Sequence, residues 1–268
     1  VRWLGFLLPL LLIAAAPPPA QMTPEETAKT DWAAHRGDLL FDVDRAAWVT
    51  TDDMIARLGG RRDIPVKGWV VERDGTAPGA FIVTYFGDGP AGRVAWYAGH
   101  VRDHKVVSGE VFAEGSRPPL TPVQARIADA VALARAQTQF RPCTPANFNA
   151  AAIPPETPDG PVDVYLLTAM TESGVFPMGG HYLVRVGADG KIVSTRPFTK
   201  SCINMSPPPA TNSSQPAALM LTHLLDPTPT EIHVFMSIWT RFPIFVATGE
   251  GKKPRIWAVA GPAIHLVQ

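Results

Sequence analysis

The chain has 268 residues, with 24 Lys and Arg against 24 Asp and Glu, so its formal net charge is zero. Without an excess of cations or a Lys/Arg-rich run it has few means to neutralise phosphates, which argues against nucleic acid as a partner. The length is sufficient to bury a substantial core without reliance on disulfides or metals.

In chain order the first element is VRWLGFLLPLLLIAAAPPPAQ, with one charge at Arg2, an apolar run from Trp3 to Ala16, then small residues and prolines. That is the pattern of a secretory signal peptide, residues 1–20, with cleavage expected after Ala20. The run is shorter than the roughly 20 residues a comfortable span needs. No cationic flank follows it, so a retained anchor is the minority reading, the sequence leaves open whether the segment is cleaved or retained, and no transmembrane span is expected after signal cleavage. The implied destination is the periplasm or the extracellular medium.

Two helices are announced by one device. TPEE (23–26) and TPVQ (121–124) each place Thr at the N-cap, Pro at the first helical position, and Glu26 or Gln124 three residues on. The second is expected to run from Pro122 to Gln139, with Val123, Ile127, Val131 and Ala134 on one face. A separate short helix is expected from Asp52 to Leu58, stopped by Gly59 and Gly60. Strands are expected at 67–74, 80–86, 93–99 and 105–112, then at 162–170, 181–187 and 191–198, and finally at 231–239, 243–249 and 255–261. The fold class is therefore α+β: antiparallel sheets, one long and one or two short helices, and a C-terminal meander. An N-terminal half (21–140) and a mostly β C-terminal half (162–268) flank a proline-rich linker (141–161), and the sequence leaves open whether the halves pack as one domain.

DHKVVSGEVF (103–112) recurs as DGKIVSTRPF (189–198). In each an Asp-containing turn separates two β-like segments, which reads as a repeated hairpin and suggests two α-β-β-β units rather than a repeated active site. Cys143 and Cys202 are the two cysteines, and export favours pairing them. A reactive thiol near Lys200 is the alternative, but neither flank has the spacing of a redox motif.

Nucleophile-elbow, phosphate-loop and zinc-protease motifs are all missing from the sequence. FDVD (41–44) is read as a solvated loop, and His100 and His104 as turn residues, so neither is assigned as a metal site. NSS (212–214) is a formal sequon that marks an exposed loop. The densest polar stretch is THLLDPTPTEIHVF (222–235). Read as a loop entering a strand, it puts Glu231 and His233 on one face, with Asp226 in a turn. His223, Glu231 and His233 are the candidate ligand-binding residues, expected to line the main pocket with His181 of GGHY as neighbour; Ser201 is a weaker candidate. No catalytic residue, cofactor or metal ligand set is assigned.

GGHYLVRVGADGKIV (179–193), the SC pair (201–202), THLLDPTPTEIHVF and Trp257 together resemble an uncharacterised family of proteobacterial exported proteins, best over the C-terminal third. The resemblance implies a Gram-negative envelope setting and carries no activity and no site residues. The expected function is a non-catalytic exported module that binds an unidentified protein or small molecule, using a sheet edge or the apolar stretch FMSIWTRFPIFV (235–246). The alternative is an exported hydrolase or metal-dependent enzyme built on the histidines.

Overall fold

The computed structural model describes residues 21–207, 218–249 and 254–268. The expected signal segment and the NSS sequon lie outside the described residues.

Helix α1 (Pro24–Arg57) begins as expected. The Thr23 hydroxyl accepts from the Glu26 N–H at 3.2 Å, and the Glu26 carboxylate accepts from the Thr23 N–H at 2.8 Å. The helix then runs without a break to Arg57, so FDVD lies inside it and the expected short helix is its last turns. Ala33, Gly37, Leu40, Val43, Ala47, Thr50 and Met54 are buried at spacings of three or four residues. Four of these seven are Ala, Gly or Thr, which hides the periodicity from a reading based on large apolar residues. Gly59 and Gly60, both at positive φ, close it, with the Gly60 N–H donating to Ile55 O at 2.9 Å.

Strands β1 (Gly68–Arg73), β2 (Phe81–Gly89), β3 (Gly92–Arg102) and β4 (Lys105–Val111) form an antiparallel meander in that order, with α1 packed against it. Helix α2 (Pro122–Arg135) repeats the capping box with Thr121 and Gln124. It ends a turn before Gln139, where Gln137 Nε2 donates to the Leu133 carbonyl at 3.0 Å and satisfies one of the terminal acceptors.

A second antiparallel sheet has the order β5 (Asn149–Ile153), β6 (Val162–Leu167), β8 (Tyr182–Val186), β9 (Ile192–Pro197). β7 (Phe176–Pro177) and β10 (Asn204–Met205) form a separate two-residue ladder. The proline-rich segment is thus not merely a linker: its Ala-rich stretch is β5, an edge strand, the one position in a sheet that flanking prolines tolerate. Every residue of β6 is buried because the sheet is covered on both faces. Val162, Val164 and Leu166 join Ile127 and Ala134 of α2 in one core, while Tyr165 and Leu167 join Leu40 of α1 in the other.

The repeated decapeptide is a hairpin both times, β3–β4 and β8–β9. The first turn is two residues, Asp103 and His104, both at positive φ; the second is longer, with Gly187 N–H donating to Lys191 O at 2.8 Å. In both return strands the register slips at the same place, leaving Val107 and Val193 unpaired and exposed.

The third layer corrects the sequence reading most. β11 (Leu219–His223) is followed by helix α3 (Glu231–Thr240) and then by β12 (Ile244–Thr248), β13 (Arg255–Ala260) and β14 (Ala263–Leu266). EIHVFMSIW is therefore a helix crossing from β11 to its parallel neighbour β12. It is apolar all round because it is buried, and a run with no polar face carries no period to separate helix from strand. Phe235, Met236, Ile244 and Val246 are core residues, so the apolar stretch 235–246 is not a docking surface.

Cys143 and Cys202 are bonded, with Cα atoms 5.3 Å apart, tying the segment after α2 to the segment after β9. Among the described residues no helix is long and apolar enough to cross a membrane.

Candidate functional site

Glu231 opens α3 where that helix crosses α1 at Gly37. The crossing is so close that a Cβ on Gly37 would stand 2.5 Å from Glu231 O. This pins the Glu231 side chain between the helices and the second sheet, at 0% exposure. Tyr165 of β6 donates its hydroxyl to Glu231 Oε1 at 3.1 Å, and Arg36 Nε of α1 donates to the same hydroxyl at 3.2 Å. Arg36 and Arg185 both hold Asp163, one residue pair along β6. Glu231 Oε2 has no hydrogen-bond partner among the described residues. Burial pushes the Glu231 carboxyl above its ordinary value, against the pull of Arg196, Tyr165 and Arg36.

The histidines come together, but inside the protein. His223, at the end of β11, and His233, on the first turn of α3, meet edge to face with ring centroids 4.7 Å apart. His233 Nδ1 accepts from the Thr230 N–H at 2.9 Å, a capping interaction of the kind Glu or Gln usually makes at this position. Burial, aided by His223, pushes its pKa down to about 3. His223 Nε2 donates to Asp226 Oδ2 at 2.8 Å, and Arg196 of β9 donates to the same oxygen at 2.8 Å. Burial works to raise the Asp226 pKa, but His223 and Arg196 outweigh it and hold the carboxylate below its ordinary value.

His181 has both ring nitrogens occupied. Nδ1 accepts from the Thr168 N–H at 3.2 Å and Nε2 donates to Pro177 O at 2.9 Å. Burial lowers its pKa to about 4. Its glycines explain its place: Gly180 is at positive φ, and a Cβ there would lie 2.5 Å from Cys143 Sγ. GGHY thus lets the chain pass beneath the disulfide.

A cleft of about 340 Å³ opens between the first turns of α1 and the segment 226–231. Of the candidate residues only Glu231 lines it; His223, His233 and His181 do not, and Ser201 is a surface residue beside the disulfide. The sequence missed Arg196 and Trp32, which do line the cleft, and Tyr165, which holds its floor. Arg196 pairs with Asp226 and Lys29 with Glu25, at 2.8 Å and 2.7 Å, so the ionic rim is internally balanced. Trp32 is 49% exposed and offers an aromatic wall. Asp163 and Tyr165 in VDVYLL are the available signal, two polar side chains in a run otherwise suited to a buried strand.

His100 and His104 are apart in role as well: His100 Nδ1 meets Asp74 at 2.9 Å and His104 Nε2 meets Asp42 at 2.7 Å. Among the described residues no three His, Cys, Asp or Glu side chains are grouped so as to hold a metal ion. Compared with known proteins, the chain matches no protein-family model, no curated protein and no solved structure.

Proposed function

We propose that the chain is an exported, non-catalytic envelope module that binds a small polar ligand in the cleft between α1 and the segment 226–231. One observation carries this reading: Glu231 Oε2 is a fully buried acceptor with no donor among the described residues, and its residue lines a cavity large enough for a small molecule. Leaving a buried carboxylate oxygen unmatched costs free energy, so a group that persists there is a candidate for a partner the protein takes from solution. A ligand with an N–H or O–H donor matches it, and a flat or apolar portion of the same ligand fits against Trp32 and the prolines at 227 and 229. The imidazoles are committed to internal hydrogen bonds or to Asp226, which favours binding over catalysis. The disulfide is compatible with an oxidising compartment.

The test is a thermal-shift screen of small polar compounds against the full chain, repeated with Glu231→Gln and Trp32→Ala. Compounds that stabilise the protein and lose that effect in Glu231→Gln support the reading. It is overturned if no neutral, cationic or anionic compound shifts the transition in a Glu231-dependent way, or if a bound compound is turned over.

A further inference from the structure

A second cavity, also of about 340 Å³, lies away from the cleft and shares none of its residues. It sits where β1 and β2 of the first sheet meet β5 of the second beneath α2. Trp69 and Phe86 supply aromatic surface from the strands, and Val131 and Ala132 supply apolar surface from the helix. The alanine is what leaves room: a larger side chain at 132 would project into the space.

The charges at this cavity do not balance. Arg93 is matched by Asp129 at 2.6 Å and leans over the Phe86 ring at 5.6 Å. Lys67 has a loose, solvent-exposed partner in Asp88 at 3.7 Å. Arg135, in the last turn of α2, has no carboxylate within ion-pair distance among the described residues. Arg135 is solvent-exposed, and desolvation on its cavity side lowers its pKa with no acidic neighbour acting to restore it. A planar guanidinium on the wall of a cavity that two aromatic rings also line is matched by a planar oxyanion attached to an apolar body, because the fork takes both carboxylate oxygens at once while the rings offer cover for the rest.

We propose that this cavity is a binding site for a small amphipathic organic anion, an aryl or short branched-chain carboxylate, with its carboxylate on Arg135 and its apolar body between Trp69, Phe86 and α2. The site is independent of the Glu231 cleft.

The experiment is titration of benzoate into the full chain by calorimetry, with benzyl alcohol and inorganic phosphate as controls for the apolar body and the charge alone. Binding of benzoate is expected to weaken about tenfold in Arg135→Gln, the loss of one charge-assisted contact. It is expected to vanish in Ala132→Leu, a substitution at a solvent-facing position that leaves the core and the unfolding transition unchanged. Glu231→Gln leaves benzoate binding unaltered, and both controls bind at least about tenfold more weakly than benzoate. The proposal is overturned if benzoate does not bind, if it binds equally to both cavity variants, or if phosphate binds as tightly as benzoate and Ala132→Leu has no effect.

Discussion

Tyr165 and Glu231 are joined by a 3.1 Å hydrogen bond across 66 residues of sequence, linking an inner strand of the second sheet to the first turn of α3. The bond satisfies one carboxylate oxygen and leaves the other without a donor. Replacing Glu231 by Gln keeps an acceptor for Tyr165 and removes the cost of burying a charge. We expect Glu231→Gln to raise stability by about 1 kcal/mol in urea denaturation, while abolishing ligand binding in the cleft. Tyr165→Phe should do the reverse, lowering stability by about 1–3 kcal/mol because Glu231 Oε1 and Arg36 lose their shared partner.

Gly37 permits the α1–α3 crossing, and a Cβ there would stand 2.5 Å from both Glu231 O and Val234 Cβ. Alanine favours a helix over glycine by about 1 kcal/mol, so propensity alone predicts stabilisation for Gly37→Ala. The steric conflict is with backbone and a buried side chain, neither of which gives way easily. Gly37→Ala should therefore destabilise the fold, by about 1–3 kcal/mol, in chemical denaturation.

The buried histidines make the protein sensitive to acid. His181 and His233 titrate at about 4 and about 3 when folded, against an ordinary 6.5 when the chain unfolds. Below pH 6.5 the unfolded chain takes up protons that the folded one refuses, so each imidazole removes stability as pH falls, by up to about 1.4 kcal/mol per pH unit. Asp226, depressed in the folded state, adds to the loss below its ordinary 3.8. Glu231, raised in the folded state, acts oppositely above 4.5. His233→Gln retains a side-chain acceptor for Thr230 but does not titrate; its stability should fall less steeply than wild type between pH 6 and pH 4, measured by urea midpoints at each pH.

The disulfide closes a loop with a sequence separation of 59 residues. In the chain-entropy view its loss in Cys143→Ser with Cys202→Ser lowers stability by about 4 kcal/mol. Gly180→Ala should be damaging even with both cysteines present, because its Cβ would meet Cys143 Sγ at 2.5 Å and Thr168 Oγ1 at 2.7 Å in a left-handed backbone conformation. Equilibrium denaturation and quantitation of free thiols check both.

Local rules sufficed wherever a few neighbouring residues decide the outcome. Thr23 and Thr121 with their prolines determine two helix starts, and Asp103-His104 and Asp189-Gly190 determine turns. The cysteine pairing also followed from there being only two. What failed were segments whose shape is imposed by what surrounds them. EIHVFMSIW is a helix packed against α1 and the third sheet with most of its residues buried, and a run that faces so little water has no pattern to show. The long α1 was cut short in the reading because its contact stripe is made of small residues chosen for close approach, Gly37 above all. The site divided in the same way. The sequence determined that His223, Glu231 and His233 would be neighbours, since they lie within one short segment. Only the tertiary structure decided that all three are buried and that Glu231 alone of them lines the cleft, because Tyr165, Arg36 and Arg196 arrive there from distant strands and from α1.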